Sequence, residues 1–400
     1  MTATTEPAST GPASTEPAAR SALPGLLYSE TENELRATVR GLLGDRAAWP
    51  DVLARTETAD TYDIGLWRAL AADLGCAGLV IGEEHGGAGA SWREAAVVAE
   101  ETGRHTAPVP FLGSAVTATA AALAAGDAGL LAGLAAGEVT AVLAVPFPAA
   151  SFAVPAPTVA VGALRDGDPP GVQRLTGTVT TLIDALPATV LLVPADGVPA
   201  ALYAVPAGAE GVTLTPAVSL DMTRQLADLT LDGAPGRRIA AGDAAAAAVR
   251  AGLVAGAVLL ASEQLGLAER CLEMTVAYVK ERKQFARPVG SFQALKHRLA
   301  DLWTGVTQAR AAARYAAACL ADGDPDLPVA VALAKAACSD IALKAAQECI
   351  QLHGGIGFTW EHPAHLYLKR AKSSAAGYGT ADRHRATLAA LAGLPPAGQA

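Results

Sequence analysis

Aromatic side chains are scarce, at 4% of 400 residues. Any core must therefore be filled by Ala, Leu and Val. Hydrophobic residues still make up 51% of the chain and charged residues 17%, a globular composition that excludes wholesale disorder. Basic charge is also short: 30 Lys and Arg stand against 39 Asp and Glu, for a net charge of −9. Nucleic-acid binding by bulk electrostatics is excluded on that balance. Cys76, Cys271, Cys319, Cys338 and Cys349 are scattered, odd in number and without a C-x-x-C pair. That pattern disfavours a disulfide framework and a zinc site, and it points to a reducing cytoplasm. Histidines show no metal-ligand spacing either; His362 and His365, three apart, read as loop or helix-face residues, so no metal is expected. No membrane span is expected: the longest apolar run, Ala244–Ala261, is broken by Arg250 and followed by Glu263, which suits a buried bundle helix.

What is present falls into blocks. At roughly 100–200 residues per domain the length allows two to four units. Residues 1–23 mix Thr, Ala, Pro, Ser and Glu without apolar periodicity, and the first basic residue is Arg20; they read as a flexible tail and not as a targeting peptide. Residues 24–138 carry helical periods, as in Glu30–Leu43 and Tyr62–Leu74, around a Gly-rich bend at Gly82–Gly89. That bend is not a phosphate loop, because no Lys-Ser/Thr follows it. Prolines and β-branched residues alternate over 139–235, predicting short strands, with Thr178–Ile183 and Thr189–Val193 the clearest. Residues 236–400 return to the helical period in long stretches that predict an antiparallel bundle. The fold class is thus mainly α with a central β-domain.

Two segments carry chemistry. Arg282 and Phe285 stand three apart at the end of a long helix; a guanidinium suits bidentate phosphate contact and a phenyl ring can support a heterocycle. The same residues also fit a solvated helix terminus stopped by Pro288. Gln351–Phe358 runs a helix into Gly354, Gly355 and Gly357, where a ligand's phosphates could approach or an ordinary helix cap could form.

Taken together, Glu281-Arg282-Lys283-Gln284-Phe285 with Gln293, Gln351-Leu352-His353-Gly354-Gly355-Ile356-Gly357-Phe358, and Gly82-Glu83-Glu84-His85-Gly86-Gly87 resemble the acyl-CoA dehydrogenase flavoproteins. The resemblance implies an N-terminal helical domain, a middle β-barrel or sheet domain and a C-terminal four-helix bundle. It implies FAD, an acyl-CoA substrate oxidised to the 2-enoyl-CoA, an electron-transfer flavoprotein or similar acceptor, and a tetramer. Arg282 would meet the FAD diphosphate, Phe285 and Gln293 the adenosine part, and Gln351, Gly354 and Gly355 the same cofactor from a neighbouring subunit.

The family's catalytic Glu, which must remove the α-proton, aligns with Tyr378, and its alternative position on the first bundle helix aligns with Gly256. Glu263, seven residues beyond Gly256, is the base that the sequence offers instead, with Asp382 a second candidate. The family's flavin-ring motif aligns with Val145–Phe152 and is not reproduced, and no Trp lies between Trp92 and Trp303. Two functions are therefore expected as alternatives: an acyl-CoA dehydrogenase with a relocated base, or a non-catalytic or half-site subunit of a heteromeric dehydrogenase, making the assembly a homotetramer or a heterotetramer.

Overall fold

The computed structural model describes residues 25–165 and 167–394; the tail read over 1–23 lies outside the described residues. Helix α1, Glu30–Arg46, and α4, Trp92–His105, each begin with a capping box, in which Ser29 pairs with Glu32 and Ser91 with Glu94. Between them lie the short α2, Trp49–Thr56, and α3, Ile64–Arg68, whose last turn widens through Asp73. A wide-turn segment, Phe111–Ala118, leads into α5, Thr119–Ala125, and α6, Ala128–Ala135.

The middle of the chain is one sheet in the order β1-β4-β5-β7-β3-β2, with β6 also on β7. Its strands are β1 Ala141–Leu143, β2 Val159–Gly162, β3 Val172–Ile183, β4 Val190–Ala195, β5 Ala201–Pro206, β6 Val212–Ala217 and β7 Leu226–Ala241. Among the described residues β1 and β4 pair in parallel, an isolated parallel bridge joins Ala160 to Asp196, and the other strand pairs of this sheet are antiparallel. Strand β7 continues past residue 236, where the sequence reading began the bundle. Gly236 is a strand residue and not a break: a side chain there would meet Leu175 Cδ1 at 2.9 Å, so glycine lets neighbouring side chains close over the backbone.

The bundle is α7 Asp243–Glu281, α8 Gln293–Asp322, α9 Leu327–His353 and α11 Ala381–Leu391, with α10, Ala364–Ala376, which periodicity did not reveal. Helix α7 is apolar enough to span a membrane by composition, yet 72% of its most apolar window is buried. It is the core helix, packed by α9 and α8 within the bundle and by α4 and α5 of the N-terminal domain. Alanine makes that possible. Close crossing of α4 and α7 needs small residues, and a Cβ on Gly103 would collide with the Glu263 carbonyl. The scarcity of aromatics is thus matched by a core of Ala, Val and Leu.

Candidate functional site

At one end of the bundle, α7 stops at Glu281 and a hairpin follows: β8, Lys283–Gln284, and β9, Arg287–Pro288. The turn residues Phe285 and Ala286 both hold positive φ, 52° and 60°, where L side chains are strained. This turn lifts Phe285 into solvent, 87% exposed, with its ring 6.1 Å from that of Phe292. Arg282, just past the helix, and Gln293, at the start of α8, are exposed as well. Ala286→Gly is expected to relieve strain and raise stability by about 0.5–1 kcal/mol. A lower melting temperature for that variant would contradict the strain.

Helix α9 ends beside this hairpin. Tyr278 of α7 stacks on His353 of α9 at 4.4 Å, and His353 on His362 at 4.1 Å. The next residue, Gly354, turns with φ 64°, and neither Gly354 nor Gly355 has any atom within 4 Å of a would-be Cβ. Gln351, Gly354 and Gly355 are exposed. The fold therefore brings all six candidate cofactor residues to one end of the bundle. Their open backbone, free guanidinium and exposed ring fit the diphosphate and adenosine of a dinucleotide. The Tyr278–His353 stack that joins the two segments was not visible in the sequence, because no local spacing links two helices.

The junction between sheet and bundle is different. Glu263 lies buried on α7, with one oxygen on Arg224 and the other 2.8 Å from Arg370 Nε. Arg370 Nη1 also donates to Thr223 Oγ1 at 3.0 Å, and Arg224 Nη1 to Ser374 Oγ at 3.1 Å. Burial by itself would raise the Glu263 pKa, but Arg224 and then Arg370 outweigh it and hold the carboxyl below its usual range. A carboxylate stabilised as the anion and occupied on both oxygens is a poor proton acceptor. This corrects the sequence reading of Glu263 as a base: the seven-residue offset that put it near the Gly256 face also put it within reach of two buried arginines. Asp382 fails differently, its side chain 93% exposed and 2.9 Å from Arg385 Nη1.

Tyr378 is buried, with φ 52°, and its backbone N donates to the Phe147 carbonyl at 2.8 Å. The rings of Tyr378 and Phe147 meet edge to face at 5.4 Å. A Cβ added to Gly256 would stand 2.7 Å from Tyr378 Cζ and 2.8 Å from Thr117 Cγ2. The two positions where the resemblance looked for a catalytic Glu are thus in mutual contact, one filling the space the other vacates. Burial drives the Tyr378 phenol further up, away from any basic role at neutral pH. Phe147 belongs to the segment that aligns with the flavin-ring motif, and it packs inward between Tyr378 and Arg224, whose Cζ is 5.6 Å from its ring centre. Residues at this end do not fit a bound ring system, whereas those at the hairpin end fit its nucleotide.

Gly256→Ala is expected to cost about 1–3 kcal/mol through overpacking on Tyr378. In a Tyr378→Ala background the same change should cost clearly less, only the Thr117 methyl still crowding the new Cβ, a coupling that a double-mutant cycle measures. Equal costs in both backgrounds would show that the ring does not own that space.

Two further buried groups escaped the sequence reading. Asp184, with φ 54°, accepts from Tyr62 Oη at 2.8 Å and from the Gly113 backbone N at 2.7 Å. Its carboxyl is pushed up by burial, against the pull of Arg224 and those hydrogen bonds. Lys335 of α9 donates to Ser339 Oγ and to the Ser374 carbonyl, each at 3.2 Å, and burial lowers its pKa to about 7. Neither sits in a recognisable motif, since burial of a polar residue follows from partners far away in sequence.

Residues 246–392 match the acyl-CoA dehydrogenase C-terminal domain and residues 29–130 the N-terminal domain. The acyl-CoA dehydrogenase IpdE2 of Mycobacterium tuberculosis is 39% identical over 347 residues, covering 86% of this chain and 92% of that protein. Among solved structures, the steroid ACAD variant of Tcur3481–Tcur3483 superposes with a TM-score of 0.78 at 32% identity, covering 91% of this chain and 98% of that one. The ChsE4–ChsE5 complex from M. tuberculosis gives 0.79 at 27% identity, covering 93% and 100%. FAD is the cofactor of the family these comparisons define. With both family domains matched and relatives covered almost end to end, the chain belongs to the acyl-CoA dehydrogenase family.

Proposed function

We propose that this chain serves acyl-CoA dehydrogenation as the non-catalytic member of a heteromeric dehydrogenase, lending its nucleotide-facing segments to an FAD shared with a homologous catalytic subunit. One observation carries the reading: the Tyr378 ring occupies the space beside Gly256 where a catalytic carboxylate would have to face a substrate. A self-sufficient enzyme would need another free carboxylate. Glu263 is ion-paired, Asp184 is hydrogen-bonded on both oxygens, Asp221 accepts from Thr223 and lies 3.9 Å from Arg370 Nη1, and Asp382 points into solvent.

A bound FAD would supply the hydride acceptor for the acyl β-carbon. The work of this chain's own residues is binding. Arg282 neutralises diphosphate charge, Phe285 and Gln293 line the adenosine, and the Gln351, Gly354 and Gly355 turn offers backbone to the same nucleotide from across a subunit boundary. Exposed aromatics support a boundary here: among the described residues they are Phe285, Trp303, Phe358 and Trp360, all at this end of the bundle. Trp303 also edges a groove of about 580 Å³ between α7 and α8. Exposed aromatic clusters of this kind mark interfaces. Electrons would leave to an electron-transfer flavoprotein or similar acceptor, and the assembly would be cytoplasmic, in keeping with five unbridged cysteines.

The test is to purify the chain alone and together with a homologous subunit that carries the family Glu. Alone it should show no flavin that bleaches on adding acyl-CoA; the mixed assembly should be yellow and bleach. Arg282→Ala should cut the flavin content of the mixed assembly about tenfold at limiting FAD. A stable homotetramer of this chain that reduces its own flavin with an acyl-CoA would overturn the proposal.

A further inference from the structure

The two segments at the nucleotide end come from different helices: Arg282 follows the end of α7, and Gly354 follows the end of α9. Backbone hydrogen bonds hold the hairpin by itself. The Tyr278 carbonyl accepts from the Arg282 backbone N at 2.9 Å, and the Arg282 carbonyl from the Val289 backbone N at 2.8 Å. What sets the hairpin against the glycine turn is a column of rings. His353, the last residue of α9, is 3% exposed and stacks on Tyr278 at 4.4 Å and on His362 at 4.1 Å. Its Nδ1 lies 2.6 Å from the Cys349 carbonyl; a carbonyl can only accept, so Nδ1 carries the proton and caps one of the last carbonyls of α9. The glycine turn then folds back over this residue: a Cβ on Gly357 would stand 2.5 Å from the Ile350 carbonyl and 3.1 Å from His353 Cβ.

We infer that His353 is a positioning residue for the dinucleotide: held between Tyr278 of α7 and His362, it fixes the Gly354–Gly355 turn relative to Arg282 before the cofactor arrives. Its ring is buried, so it acts through these neighbours and not by touching the cofactor. An open glycine turn needs such support, because Gly354, at φ 64°, and Gly355 have no side chains of their own to pack. A site whose parts already stand in register binds more tightly, since less ordering remains to be done on binding. Stacked rings of this kind change an equilibrium by about two- to tenfold. His362 is itself held, its Nδ1 accepting from the Ala364 backbone N at 3.3 Å. Burial and the neighbouring His353 lower the His362 pKa to about 4, so it remains a neutral ring for His353 to stack on. This role presupposes the nucleotide-binding function proposed above for the hairpin and the glycine turn.

FAD is the probe, titrated into the flavin-stripped mixed assembly and followed by flavin fluorescence. Tyr278→Leu should weaken FAD about five- to tenfold, whereas Tyr278→Phe, which keeps the stacked ring, should bind as wild type does. His353→Leu should weaken FAD by at least as much as Tyr278→Leu. Combining the two leucine changes should add no more than about a further twofold, because the stack is already gone. Should His353→Leu fail to assemble, the Tyr278 pair decides alone, since a half-buried position that merely filled space would not separate Phe from Leu in FAD affinity. Arg282→Ala in the same assembly keeps the two failures apart. Unchanged affinity in Arg282→Ala would overturn the nucleotide role and the positioning role with it. If Arg282→Ala weakens FAD while Tyr278→Leu matches wild type, or if the two leucine changes multiply in full, the positioning role of His353 alone is overturned.

Discussion

Glu263→Ala is expected to destabilise the protein by about 3–5 kcal/mol, enough to consume much of the stability of an ordinary domain. The reason is what it leaves behind. Arg224 and Arg370 are both buried, with side-chain exposures of 2% and 3%, and both direct a guanidinium at this carboxylate. Without it, two cations remain in a desolvated space with Asp221 as the nearest acid, 3.9 Å from Arg370 Nη1 and accepting only from Thr223. Glu263→Gln keeps the shape and one acceptor, and should cost less. The pH dependence has a definite sign. Because the folded Glu263 pKa lies below its unfolded value near 4.5, its contribution is fully present above that value and is lost as pH falls through the folded pKa. Wild type should therefore lose stability in acid faster than Glu263→Ala does. Urea unfolding at pH 7 and pH 4 measures both effects; an alanine variant within 1 kcal/mol of wild type at pH 7 would refute the account.

Lys335→Met should act in the opposite direction and stabilise the protein by about 2–4 kcal/mol at pH 6. Burial lowers the Lys335 pKa from 10.5 to about 7, with nearby Arg224 adding to the effect and Cys338 and Glu263 opposing it. A depressed lysine pKa means that the unfolded chain holds the proton more tightly. Between pH 7 and 10.5 the unfolded state binds more protons, so wild-type stability rises with pH through that window. Below it the penalty is present in full. Methionine fills a similar volume without a charge, at the loss of hydrogen bonds to Ser339 and the Ser374 carbonyl, which trims the gain. The advantage should hold near pH 6 and shrink as pH rises from about 7 to 10. A variant less stable than wild type at pH 6, or one whose advantage does not change with pH, would show that Lys335 is not held neutral by its surroundings.

Both effects concern residues that give no signal in the chain. Lys335 lies in an ordinary helical stretch, and Arg224 precedes a strand in a segment that reads as turn and loop. Their burial depends on α7, α9 and α10 converging on the loop before β7, which no window of sequence contains. Glu263 shows the same limit from the other side. Its position on α7 could be counted, and the count put it near Gly256, but its chemistry was decided by Arg224 and Arg370 from other elements. By contrast, the hairpin and glycine turn at the end of the bundle were legible. Arg282, Phe285 and Gln293 lie within one short stretch, Gln351, Gly354 and Gly355 within another, and each motif acts through local backbone geometry.

From the amino-acid sequence alone came the order of helices, strands and bundle, the resemblance to a dehydrogenase family and the six candidate cofactor residues. These are short-range properties: period, turn chemistry and motif spacing are written along the chain. Tertiary structure decided the rest. That Tyr378 fills the hollow at Gly256, that Glu263 is spent on two arginines and that His353 stacks on Tyr278 all depend on which helix faces cross. A side chain's protonation and reach follow from the neighbours that crossing supplies, and those neighbours lie far away along the chain.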